Sequence, residues 1–179
     1  MKTIRQNIKL ITFIGIAVFL GACGVKESDS ASDEQSLHSL SGILLSAEPQ
    51  GALALGKFKE TAQSGDAVVV TGQIGGKFKP FIKGYAGFVL SDEEVLFCNE
   101  MDDDHCATPW DACCEDIDKL KANRATVQFV DAEGSPIIGG IKGVDGLSEL
   151  EKVIVVGSVA PQSNENNLVI NATGLYRVQ

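Results

Sequence analysis

The strongest constraint on the fold is a period-two alternation of apolar and other residues that recurs after residue 66. A β-strand points successive side chains to opposite faces, so this alternation is typical of strands with one buried face. In the first stretch, Val68, Val70 and Ile74 share one side, together with Gly72. The stretches predicted as strands are AVVVTGQIGG at 67–76, FIKGYAGFVL at 81–90, ATVQFVD at 125–131, IIGGIKG at 137–143, KVIVVGSVA at 152–160 and NLVINATGLYRV at 167–178. The sequence therefore predicts a mainly β domain of about six strands.

Two short helices are predicted beside these strands. The segment GALALGKFKETA at 51–62 has the composition of one short helix. The second helix is expected from Thr108 to Ala122, because TPWD supplies an N-cap residue, a proline for the first helical position and an early acid. On that helix Cys113 and Cys114 would project about 100° apart.

The N-terminus has the features of an export signal. Three cations lie among the first nine residues, and the apolar segment from Ile8 to Ala22 is shorter than the roughly 20 residues of a membrane span. The stretch LGAC at 20–23 resembles the lipobox of bacterial lipoproteins. That resemblance implies removal of residues 1–22 and attachment of lipid to the thiol of Cys23. The expected location is the bacterial cell envelope, facing the periplasm or the cell surface.

The expected mature chain is strongly acidic. Removal of residues 1–22 takes away three cations and no acid, so the formal charge changes from −9 to −12. Such a chain repels phosphate polymers, and nucleic-acid binding is not expected. Residues 23–40 comprise the lipidated cysteine and a polar tether with too few apolar residues to form a core. Residues 41–179 are expected to form one domain.

The order of the predicted elements resembles an OB-fold barrel. The resemblance is carried by GDAVVVTGQIGG, a second strand that ends in LSD, a helical insertion, and the closing pair VIVVGSVAP and LVINATGLY. It implies a small barrel with one or two short helices, whose first strand coils at Gly72, Gly75 and Gly76. The arrangement over residues 48–178, including TPWDACCE, is also similar to a group of bacterial exported lipoproteins without an assigned activity. A meander or a sandwich is the structural alternative.

Four of the five cysteines lie in an acidic insertion at residues 92–122. In an oxidising compartment they are expected to form two disulfides. Adjacent cysteines rarely pair because the ring they close is strained, so Cys113 and Cys114 are expected to pair separately with Cys98 and Cys106, in either combination. A metal site that adds His105 is the alternative, although the C-x7-C-x6-C-C spacing lacks the close pairs of structural zinc sites.

Cations and aromatic residues alternate after the first predicted strand. Residues 92–118, in contrast, contain eleven acids and no base. On an exposed barrel face, such cations and rings are suited to bind a sugar, an oligomer or an anionic peptide. The predicted binding face, called here the basic strip, comprises Lys77, Lys79, Phe81, Lys83 and Tyr85. Its alternative role is to neutralise the acidic insertion of the same chain.

Motifs of catalysis are missing from the sequence. It contains no G-x-S-x-G, H-E-x-x-H, Walker A or dinucleotide fingerprint, and its two histidines are His38 and His105. We therefore expect a non-catalytic binding protein without a cofactor, attached to the membrane by its lipid. Its expected partner is an envelope protein or an anionic ligand. The alternative is a protein that binds copper or zinc, or acts in thiol redox chemistry, through the segment from Cys98 to Cys114.

Replacement of the anchor residue tests the export prediction. We give the chain the leader of a secreted soluble protein and change Cys23→Ser. Without a thiol that accepts lipid, this variant is expected in the soluble fraction, whereas the wild type is expected in the membrane fraction with a diacylglycerol adduct on residue 23. Fractionation and intact mass measure both properties. A Cys98→Ser variant with the native leader is the control and should stay in the membrane fraction. A wild type without lipid would contradict the prediction.

Overall fold

The computed structural model describes residue 40 and residues 42–101 and 106–179. This part of the chain contains six β-strands and two α-helices. The strands are β1 (Leu53–Ala54), β2 (Ala67–Ile74), β3 (Gly87–Ser91), β4 (Arg124–Phe129), β5 (Lys152–Val159) and β6 (Leu168–Arg177). The helices are α1 (Leu55–Lys59) and α2 (Ile117–Asn123), and two 3-10 turns lie at Cys98–Glu100 and Val144–Gly146. The predictions for the signal peptide, Cys23, His38 and His105 lie outside the described residues. Within them, no helix has both the length and the apolar character needed to cross a membrane.

Five of the strands close into a barrel. Their order is β2-β3-β4-β6-β5, and β5 pairs again with β2 to complete the circle. β4 and β6 run parallel, and the remaining barrel contacts are antiparallel. β1 is an extra strand that pairs in parallel with β2. The predicted fold class, a mainly β OB-like barrel with one or two short helices, is therefore confirmed.

β2 contributes to two sides of the barrel. Residues 67–73 pair with β5, while Gln73 and Ile74 pair with β3. A strand that changes partner in this way bends, and Gly72 lies at the bend. A Cβ at Gly72 would lie 2.5 Å from the carbonyl oxygen of Ser91, so the backbones approach each other more closely than a side chain permits.

The core lies inside the barrel. β2 buries alternate residues, including Val68, Val70 and Ile74, as its sequence pattern predicts. The rings of Phe88 on β3 and Phe129 on β4 are fully buried, with centroids 6.0 Å apart. Each large apolar side chain that is fully buried stabilises the fold by about 1.5–3 kcal/mol. Leu40 is also buried in this core, so the domain includes the last residue of the segment predicted as a tether.

Two of the six predicted strands differ in the structure. The strand expected at 81–90 is regular only from Gly87, because Gly84 has a φ of 83° and turns the chain. Residues 80–82 fold back onto β3 through hydrogen bonds from Ile82 N to Gly87 O and from Val89 N to Pro80 O. The strand expected at 137–143 is wrong, since that segment forms one isolated bridge, between Ile138 and Tyr85.

Both helix predictions place a helix in the right region but give it the wrong length. α1 has five residues rather than the twelve of segment 51–62. α2 begins at Ile117, not at Thr108, because the Asp116 side chain accepts hydrogen bonds from the backbone N–H groups of Asp118 and Lys119 and caps the helix there. The TPWD stretch forms a turn instead, and Cys113 and Cys114 lie outside the helix.

Gly157 provides a test of how tightly the barrel closes. This residue lies at an irregularity between β5 and β6, where a Cβ would lie 2.2 Å from the Asn171 carbonyl oxygen. Both atoms belong to paired backbones that cannot move apart cheaply, so Gly157→Ala should lower the free energy of unfolding by about 2 kcal/mol or more. Urea denaturation measures the loss. Gly140→Ala is the matched control, because a Cβ added there would meet no atom within 4 Å.

Candidate functional site

The acidic insertion is attached to the barrel through backbone hydrogen bonds. Cys98 N donates to Asp111 O at 2.8 Å, and Asn99 N donates to Pro109 O at 3.1 Å, so the two arms of the insertion lie side by side. Gly76, at the end of β2, donates its N–H to Trp110 O at 2.8 Å. The insertion therefore has a defined position relative to the first barrel strand.

A second, smaller core supports this position. Phe97 is buried together with Val95, Ala112 and Leu120. Its ring lies against Gly75, where a Cβ would be only 2.7 Å from a ring carbon. The absence of a side chain at Gly75 thus allows the aromatic ring to pack directly on the barrel backbone.

The insertion brings four sulfur atoms together. The Sγ of Cys113 lies 3.4 Å from that of Cys106 and 3.7 Å from those of Cys98 and Cys114. The sulfurs of Cys98, Cys106 and Cys113 all lie within 4.8 Å of one another. Cys98 is buried, Cys106 is half-buried, and Cys113 and Cys114 are exposed. The cysteines that the sequence singled out therefore form one cluster at the surface, called here the thiol cluster.

No disulfide joins these cysteines in the described part of the chain. Each of the two predicted pairings contains one of the short contacts, either Cys98 with Cys113 or Cys106 with Cys113. Neither predicted pair of disulfides is therefore formed in the described structure. His105, the proposed additional ligand, lies outside the described residues.

The reactivity of the cluster differs between its buried and exposed members. Burial raises the pKa of the Cys98 thiol, because a thiolate loses its hydration there, while the backbone N–H of Cys113 acts in the opposite direction. A buried thiol of this kind is a poor nucleophile at neutral pH. Any rapid thiol chemistry therefore belongs to the exposed cysteines rather than to Cys98.

A separate cavity of about 230 Å³ lies on the outer face of β3 and β4. It is bordered by the β2–β3 loop, the end of α2 and the β5–β6 loop. Three cations line it, and no carboxylate is among its described lining residues. The lining comprises Lys77, Val89, Leu120, Lys121, Arg124, Ala125, Thr126, Asn166 and Asn167. We call this the cationic cavity.

Backbone carbonyl groups hold Arg124 of the cavity and its neighbour Lys59, which lies outside the cavity lining. Arg124 donates from Nη1 to Gly76 O at 2.5 Å, and Lys59 donates from Nζ to Arg124 O at 2.9 Å. Burial lowers the pKa of Lys59, and the nearby charge of Arg124 lowers it further. Burial also lowers the pKa of Arg124, against the attraction of Asp111. The charges of Lys59 and Arg124 are therefore both held at an electrostatic cost.

The residues of the predicted basic strip lie in separate parts of the structure. Lys77 lines the cationic cavity, and Lys79 lies over the ring of Phe78 with its Nζ 5.7 Å from the centroid. Phe81 is half-buried and packs edge-on against the buried ring of Phe88, with centroids 6.1 Å apart, so it covers the core. Lys83 and Tyr85 are exposed at the far end of the loop, where Tyr85 forms a bridge with Ile138. These residues do not form one continuous face.

The alternative role of the basic strip, neutralisation of the acidic insertion, has no support among the described ion pairs. None of these pairs contains a lysine of the strip. The acids of the insertion pair instead with Lys119, Lys121 and Lys152. The contact between the β2–β3 loop and the insertion is made by other groups, such as the 3.2 Å hydrogen bond from Trp110 Nε1 to Phe78 O.

Lys121 and Arg124 are the cavity residues that sequence reasoning missed. They lie at the end of α2 and at the start of β4, beyond the stretch in which lysines and aromatic residues alternate. Their only signal in the sequence is that these cations follow residues 92–118, which contain eleven acids and no base. Their proximity to Lys77 depends on the pairing of β3 with β4.

Glu115 provides a pH-dependent test of the insertion. Its carboxylate accepts hydrogen bonds from Lys119 Nζ at 2.8 Å and from Leu96 N at 3.1 Å, and these contacts, that of Lys119 above all, lower its pKa below the ordinary 4.5. A carboxylate whose pKa is lowered by folding stabilises the folded state while it is ionised. The contribution of Glu115 to the free energy of unfolding should therefore be complete above about pH 4.5 and should disappear as the pH falls through its lowered pKa. Wild type should therefore be more stable than Glu115→Gln at pH 7, and the difference should shrink below pH 4.5. Thermal melts across this range measure it, and a constant difference would contradict it.

Comparisons with known proteins find no match for this chain. No protein-family model, no curated protein and no solved structure matches it. Its function therefore has to be inferred from the thiol cluster and the cationic cavity.

Proposed function

We propose that this chain is a lipid-anchored protein of the bacterial cell envelope whose barrel binds an anionic ligand at the cationic cavity without catalysing a reaction. The observation that supports this function best is the presence of Lys77, Lys121 and Arg124 around one cavity in a chain of net charge −9. Without a ligand, burial of the Arg124 guanidinium is electrostatically unfavourable, while Lys121 pairs with the exposed carboxylate of Asp118. An anion that binds there would offset the cost of burying Arg124.

The place of the cavity in the barrel supports binding. OB-fold barrels bind oligomers on the face of their second and third strands, with help from the loops between the first and second and between the fourth and fifth strands. In this chain those elements are β3, β4 and the β2–β3 and β5–β6 loops. Val89 and Thr126 line the cavity from the two strands, while Lys77 and Asn167 line it from the two loops.

The size of the cavity limits what it accepts. Its volume of about 230 Å³ is below the roughly 300–1,000 Å³ of pockets that enclose a whole small molecule. One charged group of a larger molecule fits this space better than a free metabolite does. The side-chain amides of Asn166 and Asn167 offer further donors and acceptors to such a ligand. A sulfated, phosphorylated or carboxylated saccharide meets both requirements.

The proposed anchor is consistent with a ligand of this kind. A tether of the 17 residues from Cys23 to Ser39 spans at most about 60 Å when extended. A domain on such a tether stays close to the membrane and meets the polymers of the envelope rather than freely diffusing solutes. An acidic patch on another envelope protein would offer the cavity the same charge, and the binding experiment distinguishes it from a saccharide.

Removal of cavity cations should weaken binding of an anionic saccharide. Lys77→Ala and Lys121→Ala are each expected to raise the dissociation constant for a heparin-derived oligosaccharide about tenfold, which corresponds to about 1.4 kcal/mol. Calorimetric titration of the domain measures this. An uncharged oligosaccharide of equal length should not bind, and added salt should weaken the interaction.

Matched variants separate the cavity from general surface charge. Lys152→Ala removes one exposed lysine that pairs with Glu93 away from the cavity, and it should bind like the wild type. The double change Lys83→Ala and Tyr85→Ala tests the far end of the basic strip and should also leave binding intact. Equal losses in all variants would show that only net charge matters, and no binding by the wild type to any anionic saccharide would leave an acidic protein as the partner to test.

A further inference from the structure

The spacing of the sulfurs in the thiol cluster differs from that expected of two separate disulfides. A disulfide sulfur has a single partner at about 2.05 Å. Here Cys113 Sγ has three sulfur neighbours, at 3.4 Å, 3.7 Å and 3.7 Å. One sulfur therefore lies between three others at nearly equal distances, and no pair is set apart from the rest.

The same spacing matches ligands that share one metal ion. With a Zn–S distance of about 2.3 Å, two thiolates of a tetrahedral site lie about 3.8 Å apart. The three distances measured from Cys113 are close to this value, and the sulfurs of Cys98, Cys106 and Cys113 all lie within 4.8 Å of one another. These three sulfurs can therefore share one ion.

The backbone holds two of the ligands in place before any ion binds. Cys98 is fixed by its hydrogen bond to Asp111 O and by the neighbouring Phe97, whose ring packs on Gly75. Cys113 follows Ala112, which belongs to the same small core as Phe97. These ligands need little further ordering when the ion binds, so little of the binding free energy is lost to their conformational entropy.

The charge of the insertion and the exposure of the thiol cluster favour an ion that binds reversibly from solvent. The insertion carries eleven acids and no base over residues 92–118, so its field attracts cations. Cys113 and Cys114 are exposed and Cys106 is half-buried, so one side of the cluster is open to solvent. Thiolate ligands favour soft ions such as Cu⁺ and Zn²⁺ over Ca²⁺ or Mg²⁺.

We propose that Cys98, Cys106 and Cys113 bind one soft metal ion, Cu⁺ or Zn²⁺, as thiolates. Each coordinating thiol releases its proton on binding. The site is distinct from the cationic cavity, which contains none of these residues, so the two proposals succeed or fail independently. The exposed side of the cluster suits capture and transfer of the ion better than a permanent structural role.

The experiment uses the mature chain with Cys23→Ser, which removes the unrelated fifth thiol. The protein is isolated from the exported fraction, and part of it is alkylated without reductant for intact mass. The remainder is reduced, kept free of oxygen, and titrated with Zn²⁺ or with Cu⁺ in the presence of a competing chelator. We expect one ion per chain, protection of the cluster from alkylation when the ion is bound, and a thiolate-to-metal absorption band with Co²⁺. The ion that the protein withdraws more strongly from the chelator identifies the native metal.

Single substitutions assign the ligands. Cys98→Ser, Cys106→Ser and Cys113→Ser should each weaken binding at least tenfold, while Asn99→Ala, which alters an exposed side chain of the same insertion, should bind like the parent. Thermal melts without metal show whether each variant is folded. The Co²⁺ spectrum of the parent tests thiolate ligation even if a variant does not fold. Two disulfides and no metal in the exported protein would overturn the proposal. Failure of the reduced parent to retain either ion, or equal retention by Cys113→Ser, would overturn it as well.

Discussion

The fold depends on the bend that allows β2 to pair with β5 along most of its length and with β3 at its end. This double pairing closes the barrel, and it requires the close approach of Gly72 to the carbonyl of Ser91. The bend also determines the direction in which the chain leaves the sheet. Gly75 and Gly76 follow directly, and both the acidic insertion and the cationic cavity are attached there.

Gly76 connects the two candidate sites through its own peptide groups. Its N–H donates to Trp110 O in the insertion that carries the thiol cluster, and its carbonyl accepts from Arg124, which lines the cationic cavity. The residue has a φ of 80°, and a Cβ added there would lie 2.2 Å from Ser91 Oγ, so this position accepts only glycine without rearrangement. The two sites have different chemistry but share one structural support.

Much of the barrel was predictable from the sequence because several of its strands are long and apolar, although only β2 and β4 alternate strictly in burial. β2, β5 and β6 occur where the pattern indicates. The prediction for residues 81–86 failed because Gly84 reverses the chain, a local effect that alternation does not reveal. The start of α2 was also missed, since Thr108 and Asp116 are both good capping residues. The choice between them depends on tertiary structure: the residues around Pro109 and Asp111 pair with the other arm of the insertion and are not available to a helix.

The two sites differ in how far sequence could define them. The four cysteines are so close in the chain that some form of cluster was expected, but the central position of Cys113 follows from a turn where a helix was predicted. The cationic cavity draws its cations from the β2–β3 loop, α2 and β4, which are adjacent only after the sheet has formed. No local pattern could join Lys77 to Arg124. The cations of the proposed binding site could therefore be identified as neighbours only from the folded structure.

The position of β6 between β4 and β5 has a consequence for how the protein acquires its structure. Val70 pairs with Val155, and Ala125 pairs with Leu168, so closure joins residues that are far apart in the chain. Contacts of this range form slowly because a long loop must close before any of them contributes. Until β6 is in place, β4 and β5 expose unpaired edges that can associate with other chains. A newly synthesised molecule is therefore most vulnerable to aggregation in the interval before its final strand docks.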